Sequence, residues 1–285
     1  MEHSRWVGLG DIDLFVRDLR PVATLESAGP PLVVIHGGPS WDHSYLMPGL
    51  LAVSQARHVV VFDLRGCGRS SRDLGPTAYQ PEFIVEDVVR LLGVLGHDEV
   101  DLLGFSTGGQ VAQLVVEAHP QLVRRLVLAS TTAYADVAAR LQGWAEYQRR
   151  AAALHELDGE LSDLEVTTQW AFNGAPLAIW NLDRLDEYLD LLRQVEFSGD
   201  WLEPFRTGML HPWRPADPEA VLRSFARPTL ILHGAQDMCF PVSLARRLHA
   251  AVPNSELHVI DQAGHMAHFE QSQHWSRAVS EFLGS

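Results

Sequence analysis

Short apolar runs alternate with amphipathic stretches along both flanks of the chain. The runs at 31–35, 100–105, 122–130, 229–234 and 257–260 read as buried strands. The stretches at 110–116 and from about 269 to 282 carry apolar residues at helical spacing. Strands and helices in alternation predict an α/β fold, a mostly parallel sheet with helices on both faces. Between 133 and 219 strand signals vanish and helical ones dominate, in segments such as 138–154 and 182–195. The expected organisation is a core from 1–132 and 220–285, with a helical cap, 133–219, inserted between its sixth and seventh strands.

One junction carries the first chemical signal. The strand at 100–105 passes into the following helix through Gly104-Phe105-Ser106-Thr107-Gly108, with no loop between them. A chain that turns from strand to helix at one residue needs small neighbours, and glycines two before and two after Ser106 supply them. Such a bend strains the backbone of the serine and projects its oxygen outward, where a nucleophile would be mounted. A serine hydroxyl also needs a histidine base and a carboxylate to orient that base. Asp237 lies just beyond the strand at 229–234, and His265 just beyond the strand at 257–260, which completes the chain order Ser, Asp, His. His258 sits inside its strand and His268 at the start of the last helix, poorer places for a base. After the sixth strand no carboxylate occurs before Asp136.

The same chemistry requires backbone N–H groups aimed at the oxygen that gains charge during attack. Thr107, at the helix amino terminus, is one expected donor. Gly38 is the other, in the turn His36-Gly37-Gly38-Pro39-Ser40 that follows the strand at 31–35.

With these four elements in place, the chain resembles an α/β-hydrolase, and its amino-terminal half is similar to the proline iminopeptidase branch. The stretch His36-Gly37-Gly38-Pro39-Ser40-Trp41-Asp42-His43-Ser44-Tyr45-Leu46 resembles that branch's His-Gly-Gly-Pro-Gly segment and the His-x-Tyr-Leu after it. Phe62-Asp63-Leu64-Arg65-Gly66-Cys67-Gly68-Arg69-Ser70 resembles its Asp-x-Arg-Gly-x-Gly-x-Ser loop, and the elbow continues with Gly109. The resemblance covers residues 6–132 and 221–285 and implies acyl transfer to Ser106, without a metal or organic cofactor. Ser40 replaces a usual glycine, Thr107 a usual tryptophan, and Leu64 a common glutamine. Where the branch carries a Trp-Glu pair that holds a free amine, this chain has Gln169-Trp170-Ala171-Phe172-Asn173. Trp170 and Asn173 are therefore expected near the substrate, while removal of an amino-terminal residue becomes the second reading. An ester, lactone or amide of a small organic molecule is the first. A non-hydrolytic cyclase or lyase, or a ligand sensor, is the third, because the same scaffold hosts each. A serine at the elbow disfavours epoxide-hydrolase and dehalogenase chemistry, which needs a carboxylate there.

Composition narrows the partners. The chain has 285 residues, 46% of them hydrophobic, enough for a large core. It carries 22 basic against 36 acidic residues, and every basic one is arginine. Without lysine there is no Schiff base and no lysine phosphate loop. A net charge of −14 argues against a nucleic-acid partner. His-Glu-x-x-His and Cys-x-x-Cys are absent, so no metal site is expected. No apolar segment is long enough to span a membrane, and the start of the chain lacks a signal-peptide pattern, so a cytoplasmic protein is expected. Cys67 and Cys239 fit a reducing compartment.

The expected cap holds five of the eight tryptophans, as a lid over an apolar pocket would. It also holds sixteen acidic and seven basic residues. Most carboxylates near 183–192 lie opposite a leucine stripe, as on a solvated helix face. Glu196 and Glu203, beyond that helix, are the better placed to meet a cationic substrate.

Overall fold

The structure, a computed structural model, describes residues 2–21 and 29–284. Its strands are β1 (Glu2–Gly8), β2 (Asp13–Leu19), β3 (Leu32–Ile35), β4 (Val59–Phe62), β5 (Val100–Phe105), β6 (Val123–Ala129), β7 (Thr229–Gly234) and β8 (Ser255–Ile260). They form one eight-stranded sheet in the order β1-β2-β4-β3-β5-β6-β7-β8. Pairing is antiparallel from β1 to β2 and from β2 to β4, and parallel from β4 through to β8. Parallel strands end on one edge, so the loops after β3, β5, β7 and β8 gather there.

The helices are α1 (Met47–Val53), α2 (Pro81–Leu95), α3 (Thr107–Ala118), α4 (Val137–Leu141), α5 (Ala145–Ala151), α6 (Asp163–Asn173) and α7 (Ala175–Ala178). They continue as α8 (Leu185–Leu192), α9 (Leu202–Arg206), α10 (Pro218–Phe225), α11 (Val242–Ala251), α12 (Ala267–Glu270) and α13 (Ser272–Gly284). Among the described residues none is long and apolar enough to cross a membrane.

Strands β3, β4, β5 and β7 are buried along their whole length, which is why they read as continuous apolar runs. Alternate side chains feed opposite layers. Val33, Ile35 and Leu102 join the apolar layer under α2, α3, α10 and α11, whereas Leu32, Val34 and Leu103 join the layer under α1 and α13. That second layer also takes Ala171, Ala175, Tyr188 and Leu192 from the helices inserted between β6 and β7. At the sheet edge β8 is only half covered, and His258 is exposed there.

Between β6 and β7 the regular elements are all helices joined by loops, and the described residues there contain no strand. Two helices expected as single elements are broken. The segment at 138–154 divides into α4 and α5, because Gln142 is extended and Gly143 takes a φ of +82°. The last helix divides at Gln271 (φ −129°, ψ 49°), so α12 turns before α13 begins.

The gathered edge is held by close backbone approach. A Cβ at Gly37 would lie 2.6 Å from the Phe105 carbonyl oxygen and 2.6 Å from Ser106 Cβ. One at Gly108 would run into the carbonyl oxygens of Ile35 and His36. Gly108→Ala should therefore lower stability by at least about 1–3 kcal/mol, the usual overpacking range, in urea unfolding. Ser40 sits at a φ of +80°, which explains the glycine usual at that place. Ser40→Gly should raise stability by about 0.5–1 kcal/mol in the same assay, since left-handed backbone costs an L-residue more than a glycine.

Candidate active site

Ser106 closes β5 and caps α3 with φ 55° and ψ −124°, outside the regions that side chains favour. Gly104 and Gly108, where a Cβ would meet backbone within 2.5 Å, make the bend possible, and Thr131 Oγ1 ties it down by donating to the Ser106 carbonyl at 2.5 Å. The hydroxyl thus leaves the strand end toward the loop after β8. There His265 Nε2 lies 3.0 Å from Ser106 Oγ. The other ring nitrogen, Nδ1, lies 2.9 Å from Asp237 Oδ2. A carboxylate can only accept, so Nδ1 carries the proton and Nε2 presents its lone pair to the serine.

Asp237 is fully buried and every side of it is engaged. Its Oδ1 accepts the backbone N–H groups of Cys239 (2.8 Å) and Phe240 (2.7 Å). Its Oδ2 meets a second imidazole, His233 Nε2, at 3.2 Å, and that nitrogen also faces the Phe240 carbonyl at 2.6 Å. Burial alone would raise the carboxyl pKa. The charges and hydrogen bonds of His265 and His233 outweigh it and hold the group well below the usual carboxylate range. His233 is the last side chain of β7 and escaped the sequence reading, although the His-Gly-x-x-Asp spacing places it one helical turn's reach from the acid.

The loop after β3 is fixed by residues that the motifs contain but whose part is structural. Tyr45 Oη donates to the Gly37 carbonyl (3.0 Å) and accepts the Gly37 N–H (2.9 Å). His36 Nε2 accepts the Leu64 N–H at 3.0 Å. Asp63 Oδ1 accepts both the N–H and the Nδ1–H of His43, at 3.0 and 2.6 Å, and Oδ2 accepts the Arg69 N–H at 3.0 Å. Burial opposes ionisation of Asp63, but the hydrogen bond and charge of His43 prevail and lower its pKa. Arg65 forks onto Asp87 at 2.6 and 2.7 Å and holds α2 against this loop. Gly38 and Thr107 are brought together: the Gly38 N–H donates to Thr107 Oγ1 at 3.0 Å.

The base-bearing loop is clamped in turn. Glu270, on α12, accepts the Gly264 N–H at 2.6 Å with one oxygen and the N–H groups of Trp180 (2.9 Å) and Asn181 (2.8 Å) with the other. The residue before His265 is thereby linked to the inserted helices.

Ser106 and His265 open into a cavity of about 220 Å³ walled by Trp41, Phe105, Trp170, Ala178, Tyr188 and Met266. A second cavity of about 270 Å³ adjoins it across Trp41 and Trp170 and is walled by Trp201, Leu202 and Phe205. Trp170 is therefore at the site. The other sequence candidates are elsewhere. Asn173 exchanges hydrogen bonds with the backbone of His155 at 3.1 and 2.6 Å. Glu196 pairs with Arg72 (3.0 Å) and Arg69 (3.3 Å), and Glu203 is exposed on α9. Trp41, Tyr188 and Cys239 line the cavity without having been foreseen. Trp41 had a signal, its place two residues after the proline of the glycine turn. Tyr188 had none, because long-range packing alone brings α8 to the serine.

These features match known proteins. A family model described as alpha/beta hydrolase fold matches residues 30–272, and the chain belongs to that family of enzymes. The 2-hydroxymuconate semialdehyde hydrolase of Pseudomonas putida is 29% identical over 266 residues, 90% of this chain and 88% of the relative. The proline iminopeptidase of Clostridioides difficile (strain 630) is 26% identical over 278 residues, 90% of each chain. Among solved structures, proline iminopeptidase from Mycobacterium smegmatis superposes with a TM-score of 0.74 at 20% identity, covering 99% of this chain and 98% of its own. The meta-cleavage product hydrolase from Pseudomonas fluorescens IP01 gives 0.74 at 19% identity, with 99% and 97% covered. The relatives are hydrolases.

His268 lies beside the site and bears on its acid stability. It is fully buried, its Nε2 donates to the Tyr45 carbonyl at 3.0 Å, and Nδ1 has no partner. Burial pushes its pKa down to about 3, against about 6.5 in an unfolded chain. Above that higher value the ring is neutral in both states. Between the two values only the unfolded chain takes up the proton, so stability falls as pH falls, by at most about 1.4 kcal/mol per pH unit. His36, also pushed down by burial, acts in the same direction. His268→Gln should flatten the decline of the urea midpoint from pH 7 to pH 4; an unchanged slope would place the acid sensitivity elsewhere.

Proposed function

We propose that this chain is a serine hydrolase that cleaves an ester, lactone or amide bond of a small organic substrate through an acyl-enzyme. The unbroken line from Ser106 Oγ to His265 (3.0 Å) to the buried Asp237 (2.9 Å), at the end of an apolar cavity, carries this reading. In the first step Ser106 Oγ attacks the substrate carbonyl as His265 Nε2 takes its proton. Asp237 keeps the imidazole in the required tautomer and stabilises the imidazolium. His265 then protonates the leaving group, and water, activated by the same nitrogen, releases the acid.

The oxyanion is received by the N–H groups of Gly38 and Thr107. Without substrate the Gly38 N–H rests on Thr107 Oγ1, so the oxyanion replaces a hydroxyl acceptor by a charged one. The helices between β6 and β7 act as the cap, and Trp170 lies against the substrate. A cavity of about 220 Å³ is small beside the roughly 300–1,000 Å³ of ordinary ligand sites, which favours a compact acyl group.

Removal of an amino-terminal residue is the second reading, supported by the relatives that carry the name proline iminopeptidase. It requires an anchor for a free amine. Among the described residues no Asp or Glu lines this cavity, and Glu196 is already shared by two arginines. A neutral ester or amide therefore ranks first.

The test is intact-protein mass after exposure to a fluorophosphonate, followed by turnover of p-nitrophenyl acetate and of alanyl and prolyl arylamides. The native protein should gain one adduct and hydrolyse the ester, with the arylamides silent. Ser106→Ala should take no adduct and lose activity on the order of 10⁶-fold in kcat. Arylamide turnover would reverse the ranking. No adduct on the native protein would sink the hydrolase reading in favour of a ligand sensor or a non-hydrolytic enzyme.

A further inference from the structure

The wall of the cavity beside Ser106 holds a buried hydroxyl that no other described residue engages. Tyr188, on α8, contributes to its wall and is fully buried, and its hydroxyl has no hydrogen-bond partner among the described residues. The other hydroxyl groups of the wall are engaged. Tyr45 Oη is bound at both ends by Gly37, and Ser106 and His265 are bound to each other.

A buried phenol ordinarily finds a partner, because stripping water from an O–H without replacing its hydrogen bond costs free energy. Nothing in the packing asks for a hydroxyl here. The ring lies 5.5 Å from that of Phe269 and belongs to the apolar layer with Leu192 and Ala175, where phenylalanine would fit as well. An unsatisfied donor in the wall of a substrate cavity is the mark of a site completed by its ligand.

The charge of that ligand follows from the rest of the wall. Among the described residues lining the cavity there is no arginine, aspartate or glutamate. A carboxylate or an ammonium in the substrate would be desolvated without a counter-ion. A neutral oxygen acceptor would not. Burial raises the Tyr188 pKa well above its ordinary value, so the group stays an O–H donor throughout the working range.

We propose that Tyr188 Oη donates a hydrogen bond to a carbonyl oxygen on the apolar acyl part of the substrate, so that the cavity selects uncharged oxo-acyl groups over plain hydrocarbon ones. Tyr188 is on this view a specificity-determining residue. The inference rests on the acyl-transfer reading for which part of the substrate enters the cavity, and the donor itself can be tested by binding alone.

The experiment uses Ser106→Ala protein and the tryptophan fluorescence of Trp41 and Trp170. Hexanamide is titrated beside 3-, 4- and 5-oxohexanamide, in which the carbonyl is walked along the chain. An oxo group makes the compound more polar, so an apolar cavity without a donor binds every oxo compound more weakly. Tyr188 should make one of them bind about tenfold more tightly than hexanamide, and Tyr188→Phe in the same background should reverse that order. Thermal unfolding of Tyr188→Phe should be no lower than that of its parent, because the hydroxyl has no partner to lose.

No preference for any oxo compound, or a preference that survives Tyr188→Phe, would overturn the proposal. So would a clear fall in the melting temperature of Tyr188→Phe, which would make the hydroxyl structural. If the oxo preference holds and follows Tyr188 while the native protein takes no fluorophosphonate and turns over no ester, the donor site stands and the hydrolase reading falls.

Discussion

Everything at the candidate site depends on how closely two pieces of backbone pass one another. The loop after β3 crosses the bend at Ser106 with no room for a side chain at Gly37 or Gly108. That contact sets where the Gly38 N–H stands relative to the serine, and it is made by main chain, which cannot adjust by changing rotamer. The buried network of Tyr45, His36, Asp63 and His43 then keeps the loop from backing away. Residues that belong to the recognisable motifs are in this sense mostly mortar. Their conformational work is done away from Ser106 Oγ, and it holds the Gly38 N–H against the bend that carries the serine.

Much of this was legible in the sequence, for a definable reason. Ser106 follows directly on the buried β5, and Asp237 and His265 lie in the loops just after β7 and β8; parallel strands bring their ends together whatever the connections do. The pattern of apolar runs therefore located three side chains in space without any knowledge of packing. What depends on packing was not legible. Glu196 looked available for a cation, yet Arg69 and Arg72 claim it from a loop more than a hundred residues away. Asn173 spends its amide on the backbone at His155. The segment at 138–154 kept its helical spacing across Gly143, where the chain in fact breaks, because periodicity does not register a single left-handed residue. His233 and Tyr188 were missed for the same reason: one carboxylate serving two imidazoles, and a helix between β6 and β7 reaching the wall of the cavity, are facts of tertiary structure.

The exclusive use of arginine has a structural counterpart. Two buried carboxylates in this fold are met by guanidinium groups: Asp101 by Arg57 and Arg124, and Asp87 by Arg65 and Arg90. Arg150 spreads its guanidinium over the carbonyls of Pro176, Ile179 and Trp180 at 2.7 to 2.9 Å. An ammonium has no plane with which to satisfy such sets at once. The acidic excess is left on the surface, where it is solvated.

Glu270 joins three N–H groups, two at 180–181 in the inserted helices and one at Gly264 beside His265. A carboxylate that grips both parts makes this seam a fixed pivot. If the insertion lifted here, it would drag the imidazole off the serine, so the doorway cannot be at this end. The open side is the far one, where Trp170 and Phe205 stand 49% and 62% exposed beside the second cavity.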